Sequence, residues 1–220
     1  MIYQIRILKG LFNPIRSFFQ LEKAEAIYGL RMKIFWLFLV SALVFAISGW
    51  IGVGTHVISP QLVKLTAVQY EGLKSYFVVG RFLLGLLYAG VILYLPPLLF
   101  GPLTNTSYSK LVVMQAFVLP ILLMEQVTFI LLAIGLDLPW YSSPLSLGVI
   151  AQYITVKKYI IFLLGCVSIF KLWVIAVQYR GLRMLTTSSP RAIAAMVISF
   201  QLVFWSISAF FAYVNFYIIL

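Results

Sequence analysis

Two ionisable side chains lie inside long apolar segments of this sequence. Glu125 occurs in one segment and Lys171 in the next. An ionisable group at membrane depth costs at least about 2.5 kcal/mol, so it needs a partner, a water-filled cavity or a functional reason. At 1.5 Å per residue, the two residues lie about 16 and 18 Å from the outer ends of their segments. We therefore predict a buried ion pair between Glu125 and Lys171 on consecutive antiparallel helices, because an unpaired buried charge costs far more.

Three interpretations of this pair are open. It fixes the register of two helices, it carries protons or lines a substrate path, or one member faces a second membrane subunit. We expect Gln126 or Gln201 to complete its hydrogen bonding. A transporter typically has broken helices and several polar residues on one face, and the sequence shows few such residues.

Residue types that support catalysis or metal binding are scarce. The single histidine, His56, has Glu71 as a loop neighbour, and one His with one Glu is too little for a zinc site. Cys166 is the only cysteine, so no intramolecular disulfide can form. The chain contains no glycine-rich phosphate loop and no paired carboxylates at catalytic spacing. We therefore expect no enzymatic activity, no metal and no cofactor.

Composition excludes an ordinary water-soluble domain, because 63% of the residues are hydrophobic and only 10% are charged. Five apolar segments are each long enough to cross a hydrocarbon core of about 30 Å, which takes about 20 helical residues. We predict an all-α, polytopic membrane bundle of five transmembrane helices over residues 34–220, preceded by a cytoplasmic amphipathic arm over residues 1–33. The five predicted spans are residues 34–54, 82–100, 111–136, 159–178 and 192–218.

Basic residues between the spans predict the orientation. The arm and the loops after the second and fourth spans carry ten Lys and Arg residues, whereas the other side carries five. Lys and Arg are retained on the cytoplasmic side, so we expect the N-terminus inside and the C-terminus outside. In so apolar a chain, a net charge of +11 indicates contact with anionic lipid headgroups and no nucleic acid partner. Arg180, Arg183 and Arg191 either determine this topology or hold a lipid phosphate.

The arm before the first span has its own helical pattern. Asn13 followed by Pro14 predicts a helix start, since Asn can cap an unpaired N–H and proline lacks one. Apolar side chains then recur at helical spacing among charged ones, as in a helix lying in the headgroup plane. Two alternatives are that this apolar face packs on the protein's own cytoplasmic loops, or that it binds a partner. The predicted interfacial residues are Phe18, Phe19, Arg16 and Lys23.

Short motifs follow one another along the chain in an order that a known family of membrane proteins shares. They are Phe12-Asn13-Pro14, Ser17-Phe18-Phe19, Ser107-Tyr108-Ser109-Lys110 with Pro120 downstream, Leu172-Trp173, Arg180-Gly181-Leu182 and Ser188-Ser189-Pro190-Arg191-Ala192. In this order the chain resembles bacterial members of the Ypt-interacting-protein family, which carry the YIP domain. The Asp-Leu-Tyr-Gly-Pro motif of many eukaryotic members is represented only by Gly101 and Pro102, so their binding of small GTPases is not carried over.

The resemblance implies an integral-membrane accessory or scaffold subunit in the cytoplasmic membrane of a bacterium. Such a subunit associates with another membrane complex, for instance an ABC-type efflux system for toxic peptides, or with copies of itself. The alternative function is an independent transporter or channel that uses Glu125 and Lys171. A third possibility, a lipid-modifying enzyme, needs a polar cluster at one membrane face, and Arg180, Arg183 and Arg191 are the available residues.

Overall fold

The computed structural model describes residues 2–5, 7–55 and 66–214. Nearly all regular structure in these residues is helical, so the predicted all-α class is confirmed. The elements are β1 (Ile2–Gln4), α1 (Ile7–Phe12), α2 (Pro14–Glu22), β2 (Ala26–Tyr28), α3 (Leu30–Ile51), α4 (Ala67–Thr104), α5 (Tyr108–Leu136), a short 3-10 helix (Trp140–Ser142), α6 (Gly148–Ile154), α7 (Lys158–Gly165), α8 (Ile169–Leu185) and α9 (Pro190–Val214).

Four helices, α3, α4, α5 and α9, are long and apolar enough to cross a membrane. They correspond to the first, second, third and fifth predicted spans, although residues 215–218 of the fifth lie outside the described residues. Their lengths and compositions indicate a multi-pass membrane protein. His56 and Lys64, Arg6 in the arm, and the C-terminus used in the topology prediction also lie outside the described residues.

The fourth predicted span is not one helix. Residues 159–178 divide between α7, with 8 residues, and α8, with 17 residues. The chain leaves the helical path over residues 166–168. The prediction of an unbroken fourth helix is therefore wrong. Each half by itself is shorter than the roughly 20 residues that a crossing needs.

The second predicted span belongs to a much longer helix. α4 has 38 residues, which corresponds to about 57 Å at 1.5 Å per residue. It begins at a capping box in which the Thr66 hydroxyl accepts from the Gln69 N–H and the Gln69 side chain accepts from the Thr66 N–H. The sequence predicts that Pro96, Pro97 and Pro102 close off this span, yet α4 continues through all three prolines to Thr104.

Small residues let α3 and α4 approach closely. A Cβ atom on Gly85 would lie 2.7 Å from both the Ser41 carbonyl oxygen and the Ala42 Cα. The Ser41 hydroxyl donates to the Gly85 carbonyl at 2.7 Å, which ties the two helices together. Nearer the other end of α3, the Arg81 guanidinium donates to the Ser48 hydroxyl at 2.7 Å. Close packing at small residues is a usual basis of helix association in membranes.

The N-terminal arm packs on the helix bundle. β1 and β2 pair in parallel, and α2 begins at Pro14 as predicted, although the Asn13 side chain makes no capping hydrogen bond. Phe18 is buried in the protein, with its ring 5.6 Å from that of Phe117 on α5 and close to Gly181 on α8. Phe18 therefore packs on the protein itself, although on the helices α5 and α8 and not on the cytoplasmic loops that the alternative named.

The remaining predicted interfacial residues are on the outer side of α2. Arg16, Phe19 and Lys23 are exposed, and the Lys23 ammonium lies 4.2 Å from the centre of the Phe19 ring. Close by, burial raises the pKa of the Tyr3 phenol, and a hydrogen bond with the Ser17 side chain opposes that shift. The arm is thus a folded layer with one buried face and one exposed, charged face.

The three basic segments meet at one end of the bundle. Lys110 at the start of α5 donates to the Glu22 carbonyl of the arm at 2.7 Å. The Thr106 hydroxyl donates to the Leu185 carbonyl at 3.2 Å, which joins the α4–α5 turn to the end of α8. The Thr186 hydroxyl donates to the carbonyl of Thr104, the last residue of α4, at 3.3 Å. The arm and the loops after α4 and α8 therefore share one end.

Candidate functional site: a buried carboxyl group at a helix break

Glu125 is 1% exposed and lies in the middle part of α5. Its carboxyl group accepts a hydrogen bond from the Ser168 hydroxyl at the break between α7 and α8. The same hydroxyl accepts from the backbone N–H of Lys171 at 3.2 Å, so Ser168 is also the N-cap of α8. The positive end of the helix dipole favours a carboxylate at this position.

Lys171 lies near enough to Glu125 for their charges to interact. Its charge interacts with the Glu125 carboxyl through space, and also with the buried thiol of Cys166. In the described part of the chain, however, Lys171 and Glu125 form no salt bridge within 4.0 Å. The interaction is thus electrostatic, and the direct hydrogen-bond partner is Ser168, a residue that the sequence analysis missed.

The loop between α5 and α6 closes the break. The Leu147 N–H donates to the Val167 carbonyl, and the Ile169 N–H donates to the Leu145 carbonyl, each at 3.0 Å. Glu125 lies eleven residues before the end of α5, which corresponds to about 16 Å of helix. The loop that follows α5 therefore runs back by about this distance to reach the depth of Glu125. Irregular backbone at membrane depth is tolerated where its N–H and C=O groups form hydrogen bonds with other parts of the protein. The two backbone hydrogen bonds to the loop do this for Val167 and Ile169.

Tight packing around Tyr141 holds the returning loop in place. A Cβ atom on Gly148 would lie 2.0 Å from the Tyr141 carbonyl oxygen, so only glycine fits there. The rings of Trp140 and Tyr141 pack on Phe162 of α7, with centroids 5.7 and 5.0 Å away. Both rings therefore support the first half of the broken helix.

Three buried glutamines form a second polar cluster. Gln201 on α9 donates to the Gln178 side-chain oxygen at 2.9 Å, and Gln178 on α8 donates to Gln115 on α5 at 3.3 Å. The Gln115 side-chain nitrogen has no hydrogen-bond partner. Gln201 thus bonds to Gln178 and not to Glu125 as expected. The sequence could have indicated this cluster, because each of the third, fourth and fifth predicted spans contains one of these glutamines.

No family model, curated protein or solved structure matches this chain. The resemblance to the YIP-domain family therefore depends on the short motifs alone. Arg180, Arg183 and Arg191 are exposed around the α8–α9 turn and are not part of the Glu125 cluster. Within the described ranges, no group of three or more His, Cys, Asp or Glu side chains is arranged to hold a metal ion.

The Glu125 contact and the glutamine cluster link three helices to one another. The Glu125 contact joins α5 to the start of α8, and the glutamine chain joins α5, α8 and α9 at a second level. Both contacts join polar groups that would be costly to leave unpaired in lipid. The arrangement fixes the positions of three helices, and it places one carboxyl group beside a discontinuity in the backbone.

Proposed function

We propose that this chain is an integral-membrane accessory or scaffold subunit of the YIP-domain type, which associates with another membrane complex, possibly an ABC-type efflux system for toxic peptides. The observation that carries the proposal is that the deep polar side chains bond to one another across helices. Glu125 bonds to Ser168, and Gln178 bonds to both Gln115 and Gln201. Such contacts maintain a fixed bundle, which suits a protein that acts through its surfaces.

We also propose that α7 and α8 together form a fifth, discontinuous crossing. Supporting this, the Tyr159 ring lies 6.2 Å from that of Tyr213 near the end of α9, and Gln178 bonds to Gln201 further along. The broken helix thus runs beside α9, which is itself long enough to cross. With the basic segments at one end, the positive-inside rule favours a cytoplasmic N-terminus and an external C-terminus. We propose the cytoplasmic membrane of a bacterium as the location.

The first turns of α4 are our proposed contact surface for the partner complex. Gly49, near the end of α3, packs against Phe77 and Arg81 of α4. Since α4 begins at Ala67, ten residues before Phe77, it extends about 15 Å beyond this contact. Exposed side chains there include Val68 and Tyr76, which are 83% and 79% exposed.

Affinity purification of the full chain in mild detergent tests this proposal. We expect a defined membrane complex to co-purify, and Tyr76→Ala to lower its yield several-fold. Tyr153→Ala is the matched control, since Tyr153 on α6 is 89% exposed but lies outside the proposed surface. Purification of the chain without any reproducible partner, or equal losses in the two variants, would contradict the proposal.

One observation favours the alternative, an independent transporter or channel. Glu125 lies at a break between two half-helices, and discontinuous helices form ion and substrate sites in many transporters. Glu125→Gln separates the two functions in cells and in proteoliposomes. Under our proposal this variant still assembles with its partner complex. Loss of substrate flux with assembly intact would instead support transport through Glu125 and Lys171.

A further inference from the structure

A lateral groove of about 2310 Å³ lies between α3 and α5. Its walls include Leu37 and Val40 on α3 and Leu123 and Val127 on α5. The β2 segment borders one end. None of the residues of the Glu125 or glutamine clusters lines this groove, and it is separate from the proposed partner surface at the start of α4.

Charge in the groove is confined to one end. The charged lining residues are three cations and one carboxylate, which leaves an excess of two positive charges. They lie at the end of the bundle where the arm meets the start of α5. Further along, the only polar lining side chain is Thr128, whose hydroxyl donates to the Met124 carbonyl of its own helix. The charged lining residues are Glu25, Arg31, Lys33 and Lys110.

Along α3, the apolar wall of the groove is about as long as one leaflet of a bilayer is thick, and the α5 wall is longer, about 27 Å from Lys110 to Thr128. Val44 lies eleven residues after Lys33 on α3, which corresponds to about 16 Å of helix. Half of a hydrocarbon core of about 30 Å is similar. A groove that is cationic at the headgroup level and apolar for one leaflet below it has the polarity of a phospholipid.

We propose that this groove binds an anionic phospholipid of the leaflet that faces the basic end of the bundle. The phosphate lies beside Arg31 and Lys33, where a guanidinium can donate two parallel hydrogen bonds to it. The acyl chains follow the apolar walls towards Val44 and Val127. A partner helix suits the groove less well, because an apolar helix offers no anion to the cationic end.

Native mass spectrometry of the delipidated full chain tests the site with two probes, phosphatidylglycerol and phosphatidylcholine. We expect one phosphatidylglycerol molecule to bind at least tenfold more tightly than phosphatidylcholine. The double variant Arg31→Gln, Lys33→Gln should lose this preference. The matched control is Lys157→Gln, Lys158→Gln, which removes two exposed cations that lie outside the groove.

A second pair of variants tests the apolar walls. Val127→Trp should fill the groove and lower phosphatidylglycerol binding at least tenfold, whereas Val203→Trp, on the exposed side of α9, should leave it unchanged. Equal binding of the two lipids, or equal losses in groove and control variants, would overturn the proposal. So would a photo-crosslinker at position 127 that captures a protein chain in cells. If Val127→Trp does not fold, the double glutamine variant, which changes only exposed side chains, decides.

Discussion

The Ser168 hydroxyl links the Glu125 carboxyl to the first turn of α8. It donates to the carboxyl and accepts from the Lys171 N–H, so one side chain caps a helix and pairs a buried acid. The residue stands where α7 and α8 part, at the level to which the preceding loop returns. The helix break and the buried acid are therefore parts of one structural feature.

Ser168→Ala should destabilise the bundle by roughly 2 to 4 kcal/mol. Loss of the cap contributes about 1 kcal/mol, and the unpaired buried carboxyl accounts for the rest. The measurement is denaturant unfolding in detergent micelles followed by circular dichroism. Ser206→Ala is the control, because the partly exposed Ser206 donates to the Leu202 carbonyl of its own helix. Equal effects of the two variants would contradict the role of Ser168.

Gln178→Leu should cost more stability than Gln115→Leu. Gln178 takes part in two hydrogen bonds, whereas Gln115 takes part in one and buries an unpaired nitrogen. Interhelical hydrogen bonds in membranes average about 0.6 kcal/mol and reach about 1.7 kcal/mol, so we expect losses of roughly 1 to 2 and under 1 kcal/mol. Unfolding under the same conditions measures both, and the reverse order would exclude a chain centred on Gln178.

Gly85→Ala should separate α3 from α4. The new methyl group would meet the backbone of Ser41 and Ala42, and such overpacking typically costs about 1 to 3 kcal/mol. Gly80→Ala on the same helix is the matched control, since a Cβ there meets nothing within 4 Å. Alanine favours helix over glycine by roughly 0.5 to 1 kcal/mol, so the control should gain stability. Thermal unfolding measures both changes, and we expect a lower midpoint temperature for Gly85→Ala and a higher one for Gly80→Ala.

Phe18→Ala should release the N-terminal arm. Truncation of a buried phenylalanine costs about 3 to 5 kcal/mol in soluble cores, so the arm should open at least about tenfold more often. Limited trypsin digestion measures this opening as faster cleavage after Arg16 and Lys23. Phe19→Ala is the control, because Phe19 lies on the exposed side of the same helix. Similar cleavage rates in both variants would mean that Phe18 does not hold the arm.

Some properties of this protein follow from local sequence alone. Apolar length and low charge predict the helices α3, α4, α5 and α9, because each property belongs to one contiguous segment. The Asn13-Pro14 pair likewise predicts the start of α2, because proline acts on its own backbone. Spacing also identifies Glu125 as buried within a span, since any helix over that segment places it far from both ends.

Only the tertiary structure decided where the fourth predicted helix breaks and which residues meet there. Hydropathy averages over residues 159–178 and is insensitive to the break, whereas the bonds that satisfy the broken backbone come from Leu145 and Leu147. The partner of Ser168 is 43 residues away in sequence, so no local pattern contains it. An apolar stripe such as that of Phe18 is also ambiguous, because lipid and protein are both apolar, and the packing of α2 on α5 and α8 selects the protein.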